Sequence, residues 1–193
     1  MTNTSATGGY LVPTEPPAPI EDDSLDDFLQ AMVVAVAGLQ ATMVRPRWQP
    51  IPPKQPPATA DWAAIGVTAR TPDANAVIVH HPDGDGYDAL QRHETLTILV
   101  TFYGPHCHQY AGRLRDGLSI AQNREAMQLL NMGVTGLGDI VSAPELVNQQ
   151  WIRRADLTFQ LRRQIDRNYP VKNLLSAHGT LQADDHSQTW NAE

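Results

Sequence analysis

Hydrophobic and polar positions alternate most regularly in His93–Leu118. Leu96, Ile98, Val100 and Phe102 share one face of Thr95–Tyr103, and Thr95, Thr97, Thr101 and Tyr103 share the other. A period of two predicts a strand with one buried and one half-exposed face. Gly104-Pro105 ends it, since proline cannot donate to a ladder but suits the first turn of a helix. Cys107, Tyr110, Ala111, Leu114 and Leu118 then recur at helical spacing, with Arg113, Arg115 and Asp116 on the wet side. An earlier set, Leu25, Phe28, Leu29, Met32, Val33 and Val36, predicts a helix starting at Ser24. Asp26 and Asp27 fall in its first turn, where the helix dipole favours acids, and Gly38 stands at the C-terminal cap. Too short and too acidic for a membrane span, it reads as a core or oligomer-facing helix.

Asp61–Arg70 and Asn75–His81 read as two short strands joined by a turn at Thr71-Pro72-Asp73. His81–Asp88, HPDGDGYD, is turn-forming. Asn123 caps a predicted helix over Arg124–Met132 that ends at Gly133, and Gly133–Leu146 holds three glycines and a proline. One helical turn is expected to start at Pro144-Glu145-Leu146. Trp151–Tyr169 returns to strand. Leu157, Phe159, Leu161 and Ile165 oppose Thr158, Gln160, Arg162 and Gln164, with Arg163 interrupting the apolar row. Arginine and leucine also allow a helix there, but the alternation favours strand. Asn173–Leu181 is the expected hairpin partner. These elements describe one domain over 24–181 between two flexible ends, 1–23 and 182–193. The first end is rich in Thr, Ser, Gly and Pro, although its Tyr10-Leu11-Val12 has the composition to dock on a neighbour as a short strand.

Charge narrows the function. The 193 residues carry a formal net charge of −7, which argues against a broadly basic nucleic-acid surface. Lys54 and Lys172 are the only lysines, so the cations are nearly all arginine, suited to pairing with carboxylates at interfaces. A single cysteine, Cys107, precludes an internal disulfide framework and fits a reducing compartment. No signal-peptide pattern opens the chain, and no apolar run approaches about 18–20 residues.

Met43–Pro57, MVRPRWQPIPPKQPP, departs from every periodic pattern. Val44-Arg45 and Arg47-Trp48 fit an edge strand interrupted by Pro46, and 46–57 then forms a pre-extended arm. The residues support two readings equally: a surface linker, or an arm that packs on another subunit. In the second reading Trp48, between Arg45, Arg47 and prolines, is the anchor.

Catalytic and metal-binding patterns are weak. His106 and His108 flank Cys107, and His80-His81 lie one strand earlier, but no CxxC or HExxH occurs. Histidines at i and i+2 of a helix do not share a face. Asp83, Asp85 and Asp88 lack the order and the bidentate glutamate of an EF-hand, so an acidic turn is the better reading. Thr135–Gly138 has no following lysine and is not a phosphate loop. Ser119, Asp139 and His178 form a hydrolase triad only on paper, and Cys107 reads as a half-buried helix cysteine. The residues indicate no catalytic group, no metal and no cofactor. A small metal-dependent hydrolase using His80, His81, His106 and His108 is the rival from another class.

Four stretches taken together carry a resemblance: VRPRWQP.PPKQPP, DWAAIGV, HETLTILVTFYGPHCHQYAGRLRDGLSIAQNRE and W.RRADLTFQLRRQIDRNYP. Over about Met43–Leu181 the chain resembles the phage neck (tail) terminator family of long-tailed bacteriophages. That resemblance implies an α/β (α+β) fold, a mixed, mainly antiparallel sheet flanked by helices. It further implies a structural virion protein, not an enzyme, assembled in the host cytoplasm. Such a protein forms a ring, usually a hexamer, at the head-proximal end of the tail tube. It stops tube polymerisation and receives the head–tail connector, and genome DNA passes through its lumen. Sheath contact follows if the tail is contractile. A connector adaptor or a baseplate component is the alternative within the same context. A closed ring repeats one heterologous interface, so each subunit needs two different complementary faces. Arg45, Arg47 and Trp48 of the arm, with Arg153, Arg154, Arg162 and Arg163 of the late strand, are the expected interface residues. Their counterpart is an acidic segment such as Glu21–Asp27. Asp83 and Asp85 are the expected lumen residues, where negative charge keeps DNA sliding.

Overall fold

The computed structural model describes residues 8–14, 19–51, 53–147, 149–174, 176–183 and 186–192. The chain divides into two compact units. One unit comprises Pro19–Asn75 and Arg92–Ile165; the other comprises Met1–Ala18, Ala76–Gln91 and Asp166–Glu193.

In the first unit, helix α1 (Asp22–Ala37) starts two residues before Ser24, so Asp22 and Asp23 occupy its first turn. Gly38 closes it in the left-handed conformation, φ 78°, its N–H donating to the Val34 carbonyl at 3.1 Å. Strands β1 (Val44–Pro46) and β2 (Trp62–Pro72) lead towards strand β4 (Tyr87–Tyr103), helix α2 (Cys107–Gly117) and the short helix α3 (Glu125–Gln128). Strand β3 (Val77–His81) intervenes before β4 and belongs to the second unit. Strand β5 (Met132–Ser142), the hairpin β6 (Glu145–Val147) and β7 (Gln150–Ile152), and strand β8 (Arg154–Tyr169) follow. The order across the sheet is β1-β2-β4-β8-β5. β1 runs parallel to β2; β2 with β4 and β5 with β8 are antiparallel. The fold is thus mixed α+β with a mainly antiparallel sheet, as the resemblance implies.

One face of this sheet is dry. Leu96, Ile98, Val100 and Phe102 of β4 meet Ala63 and Ile65 of β2 and Leu157, Phe159 and Leu161 of β8. Leu25, Leu29 and Val33 of α1 and Cys107, Ala111 and Leu114 of α2 cover them. The helices approach closely at Gly117, where a Cβ would stand 2.3 Å from Val36 Cγ1, so helix ending and helix contact coincide on one glycine. No helix among the described residues is long and apolar enough to cross a membrane.

The glycines of 133–138 lie in β5, which takes them in with two register shifts, Val134/Gly136 and Leu137/Ile140. Two expectations differ here. Pro144-Glu145-Leu146 begins hairpin β6–β7 and not a helical turn. The helix expected over Arg124–Met132 is only the four residues of α3 after a 3-10 turn at Gln122–Arg124.

In the second unit, β3 pairs antiparallel with the first five residues of β4, through the turn that joins them. Thr14 bridges to Asn168 near the end of β8. Strand β9 (Ala177–Ala183) forms a hairpin with β10 (His186–Ala192), so Asn173–Leu181 does not supply the hairpin partner expected for Trp151–Tyr169. Most of the expected frayed end, 182–193, is therefore paired.

Candidate assembly surfaces

The arm after β1 lies on its own subunit. The Arg47 N–H donates to the Ile65 carbonyl at 2.7 Å, and Arg45 Nη1 reaches the Lys54 carbonyl at 2.8 Å. Trp48 covers Gly66 so closely that a Cβ there would meet Trp48 Cζ3 at 2.8 Å. Arg47 Nη2 also donates to the Thr101 hydroxyl on β4. Sheet hydrogen bonding and a flat aromatic on a bare backbone thus pin the start of the arm. Trp48 nonetheless keeps 62% of its surface exposed.

Between the arm and the outer sheet face is a cleft of about 780 Å³, lined by Arg45, Trp48, Pro53, Trp62, Tyr103 and Glu145. Trp62 and Tyr103 stack with centroids 4.2 Å apart. Arg45 sits over Trp62 at 5.9 Å and Arg154 over Tyr103 at 5.8 Å, both in cation–π range. Burial pushes the Tyr103 phenol pKa up. Arg154 is held by a two-point bond to Asp156, at 3.0 and 2.8 Å, which raises its pKa and fixes its plane.

The late arginines divide by strand phase. Arg153 is exposed, and Arg162 makes a half-exposed ion pair with Asp73 at 2.6 Å. Arg163, in phase with Leu157, Phe159 and Leu161, is 2% exposed. Its Nε donates to Glu94 at 2.7 Å, Nη1 to the Ile20 carbonyl at 2.7 Å and Nη2 to Glu21 at 2.5 Å. Glu21 also pairs with Arg70, whose pKa that bond raises. Arg163, expected at a subunit interface, is therefore committed to a buried ion network inside the subunit. Glu21, expected to face a neighbour's arginines, is taken up by the same network. Its sequence signal was phase: Glu94 and Arg163 both continue a core face, two opposite charges where apolar side chains belong.

Asp83 and Asp85 are exposed on the β3–β4 turn. Asn173 organises that turn: its N–H donates to the Asp85 carbonyl at 3.1 Å, and Nδ2 donates to the carbonyls of Pro82 at 2.9 Å and Gly84 at 3.2 Å. That leaves its Oδ1 facing His80 Nε2 at 2.9 Å, while His80 Nδ1 faces Asp88 at 2.7 Å. Both partners are acceptors, so the protonated ring, which donates from both nitrogens, is the form this geometry favours. Asp88, then Asn173, raises its pKa accordingly. Nothing in the residue pattern linked position 173 to this turn, since the contact spans about ninety residues.

The remaining histidine candidates separate. His106 binds Asp61 through its backbone N–H and Nδ1, each at 2.8 Å, at the start of α2. Cys107 is buried, not half-buried, and burial raises its thiol pKa. Among the described residues no three His, Cys, Asp or Glu side chains group to hold a metal ion.

The surface thus has an aromatic and arginine cleft beside a sheet, and an exposed acidic turn. The phage neck terminator protein family matches residues 23–184. This chain belongs to that family. No curated protein matches it. Membership makes the neck terminator a structural protein of the phage tail and gives its surfaces an assembly context.

Proposed function

We propose that this neck terminator closes into a six-membered ring at the head-proximal end of the tail tube. There it ends tube growth, receives the head–tail connector and lets the genome pass through its lumen. The family match over 23–184 carries this reading. Tail tube protein and connector are the partners, with sheath a further one in a contractile tail. The exposed Arg153 and the partly exposed Arg45, Arg47, Arg154 and Arg162, with Trp48, supply one face of the repeated contact; Arg163 serves the fold. Asp83 and Asp85 face the lumen, where charge of the same sign as phosphate keeps DNA from adhering.

Native mass spectrometry of the purified chain tests the reading. Six copies are expected. Twelve copies would move the protein to the head side as a connector adaptor, and a monomer at high concentration would overturn the ring altogether.

A further inference from the structure

Three strand edges of the six-stranded sheet are open among the described residues, and they are not alike. β1 has three residues and ends at Pro46, which cannot donate. β5 is interrupted by two register shifts and carries Asp139. Short length, proline, bulges and charge are the devices that keep an edge from pairing with another chain. β3 ends on His80 and His81, but its stretch Val77–Val79 has no proline, no register shift and no charge. It pairs only with β4, and its Val77, Ile78 and Val79 are 60%, 61% and 49% exposed, on both faces of the strand. An apolar edge left bare in this way is a template for one more strand.

The chain also holds an unpaired segment of matching character. The Thr14 N–H donates to the Asn168 carbonyl at 2.7 Å and pins the arm's base. Beyond it Tyr10 is 92% and Val12 71% exposed, and Gly9–Pro13 pairs with no strand among the described residues. Tyrosine, leucine and valine favour strand, Pro13 terminates it, and Gly8 and Gly9, with φ of 69° and 94°, turn the chain just before it.

We infer that Tyr10-Leu11-Val12 of one subunit adds as a strand to the open edge of β3 in a second copy. The inference rests on the ring reading and gives it a heterologous contact, arm to edge, of the kind that closes by rotation. β3 pairing with itself would instead make a two-fold dimer.

Co-expressed full-length chains, one carrying Leu11→Cys and the other Ile78→Cys, are treated with a short bis-maleimide. The wild-type chain, whose buried Cys107 is its only thiol, is the control. A covalent pair containing one chain of each kind is expected. Removal of residues 1–13, or Val77→Lys with Val79→Lys at exposed positions, is expected to shift native mass from ring to monomer. A ring that persists in both variants without the mixed cross-link overturns the arm-to-edge pairing and leaves the ring reading standing. Cross-links only between two Ile78→Cys chains overturn it in favour of self-pairing. Wild-type chain that never oligomerises overturns both readings.

Discussion

The two units solve opposite problems. The unit of Pro19–Asn75 and Arg92–Ile165 holds the whole apolar core cluster, two helices closing one sheet face. The unit of Ala76–Gln91 and Asp166–Glu193, with the N-terminal segment, exposes its large apolar side chains. Val77, Ile78, Val79, Leu174, Leu181 and Trp190 all face solvent. Its β9–β10 hairpin is a two-stranded sheet by itself, an arrangement only marginally stable in water. One unit is stabilised by its own interior. The other is held by turn chemistry and leaves apolar surface bare.

The sharpest way to break this contrast is Arg163→Ala. It removes the cation from Glu94 and Glu21 and leaves two carboxylates facing a cavity, where the loss of one partner of a buried pair costs about 3–5 kcal/mol. Urea denaturation should show that loss as a lower midpoint. An unchanged midpoint would mean that this unit does not depend on its buried charges.

Asn173→Ala should cost less, about 1–2 kcal/mol, since it removes bonds on a half-exposed turn. Hydrogen exchange should accelerate in Asp83–Tyr87 and stay unchanged in Leu96–Phe102. Equal acceleration in both would erase the distinction between turn-held and core-held units.

Much of the core-held unit was legible because its periods are local. Leu96 to Phe102 alternate without interruption, and Cys107 to Leu118 keep helical spacing into a glycine stop. β5 was illegible because glycine carries no facial preference and its register slips twice. The hairpin to His186–Ala192 was illegible because its residues are polar and bury little. The candidate site was legible as composition, an arginine–tryptophan–proline segment. Its geometry was not, because Trp48 on Gly66 and Arg163 on Glu94 are long-range pairings that no periodicity encodes.

The His80 clasp adds a pH test with a fixed sign. Its folded pKa lies above the ordinary 6.5, raised first by Asp88 and then by Asn173. Stabilisation from the imidazolium is therefore complete below 6.5 and is lost as pH rises through the raised value. NMR titration should give a His80 midpoint above 6.5, with the Gly84 and Gly86 amides shifting at the same midpoint. Asp88→Asn should lower it. A midpoint at 6.5 or below in the wild-type chain would remove the imidazolium from the turn.

Arg162→Ala is the smallest expected change in stability and the most informative beside its neighbour. Arg162 and Arg163 are adjacent, identical in chemistry and each paired with a carboxylate at 2.6 Å or less. Strand geometry sends one side chain into the core and the other to the surface. The Arg162–Asp73 pair is half exposed at both ends, so water already solvates it and screening leaves it worth at most about 1 kcal/mol. Denaturation midpoints of Arg162→Ala and wild type should nearly coincide. Native mass is where the substitution should register, as a ring that dissociates at higher protein concentration. If the midpoint falls as far as it does for Arg163→Ala, the surface pair is a structural brace, and Arg162 leaves the set of assembly residues as Arg163 has done.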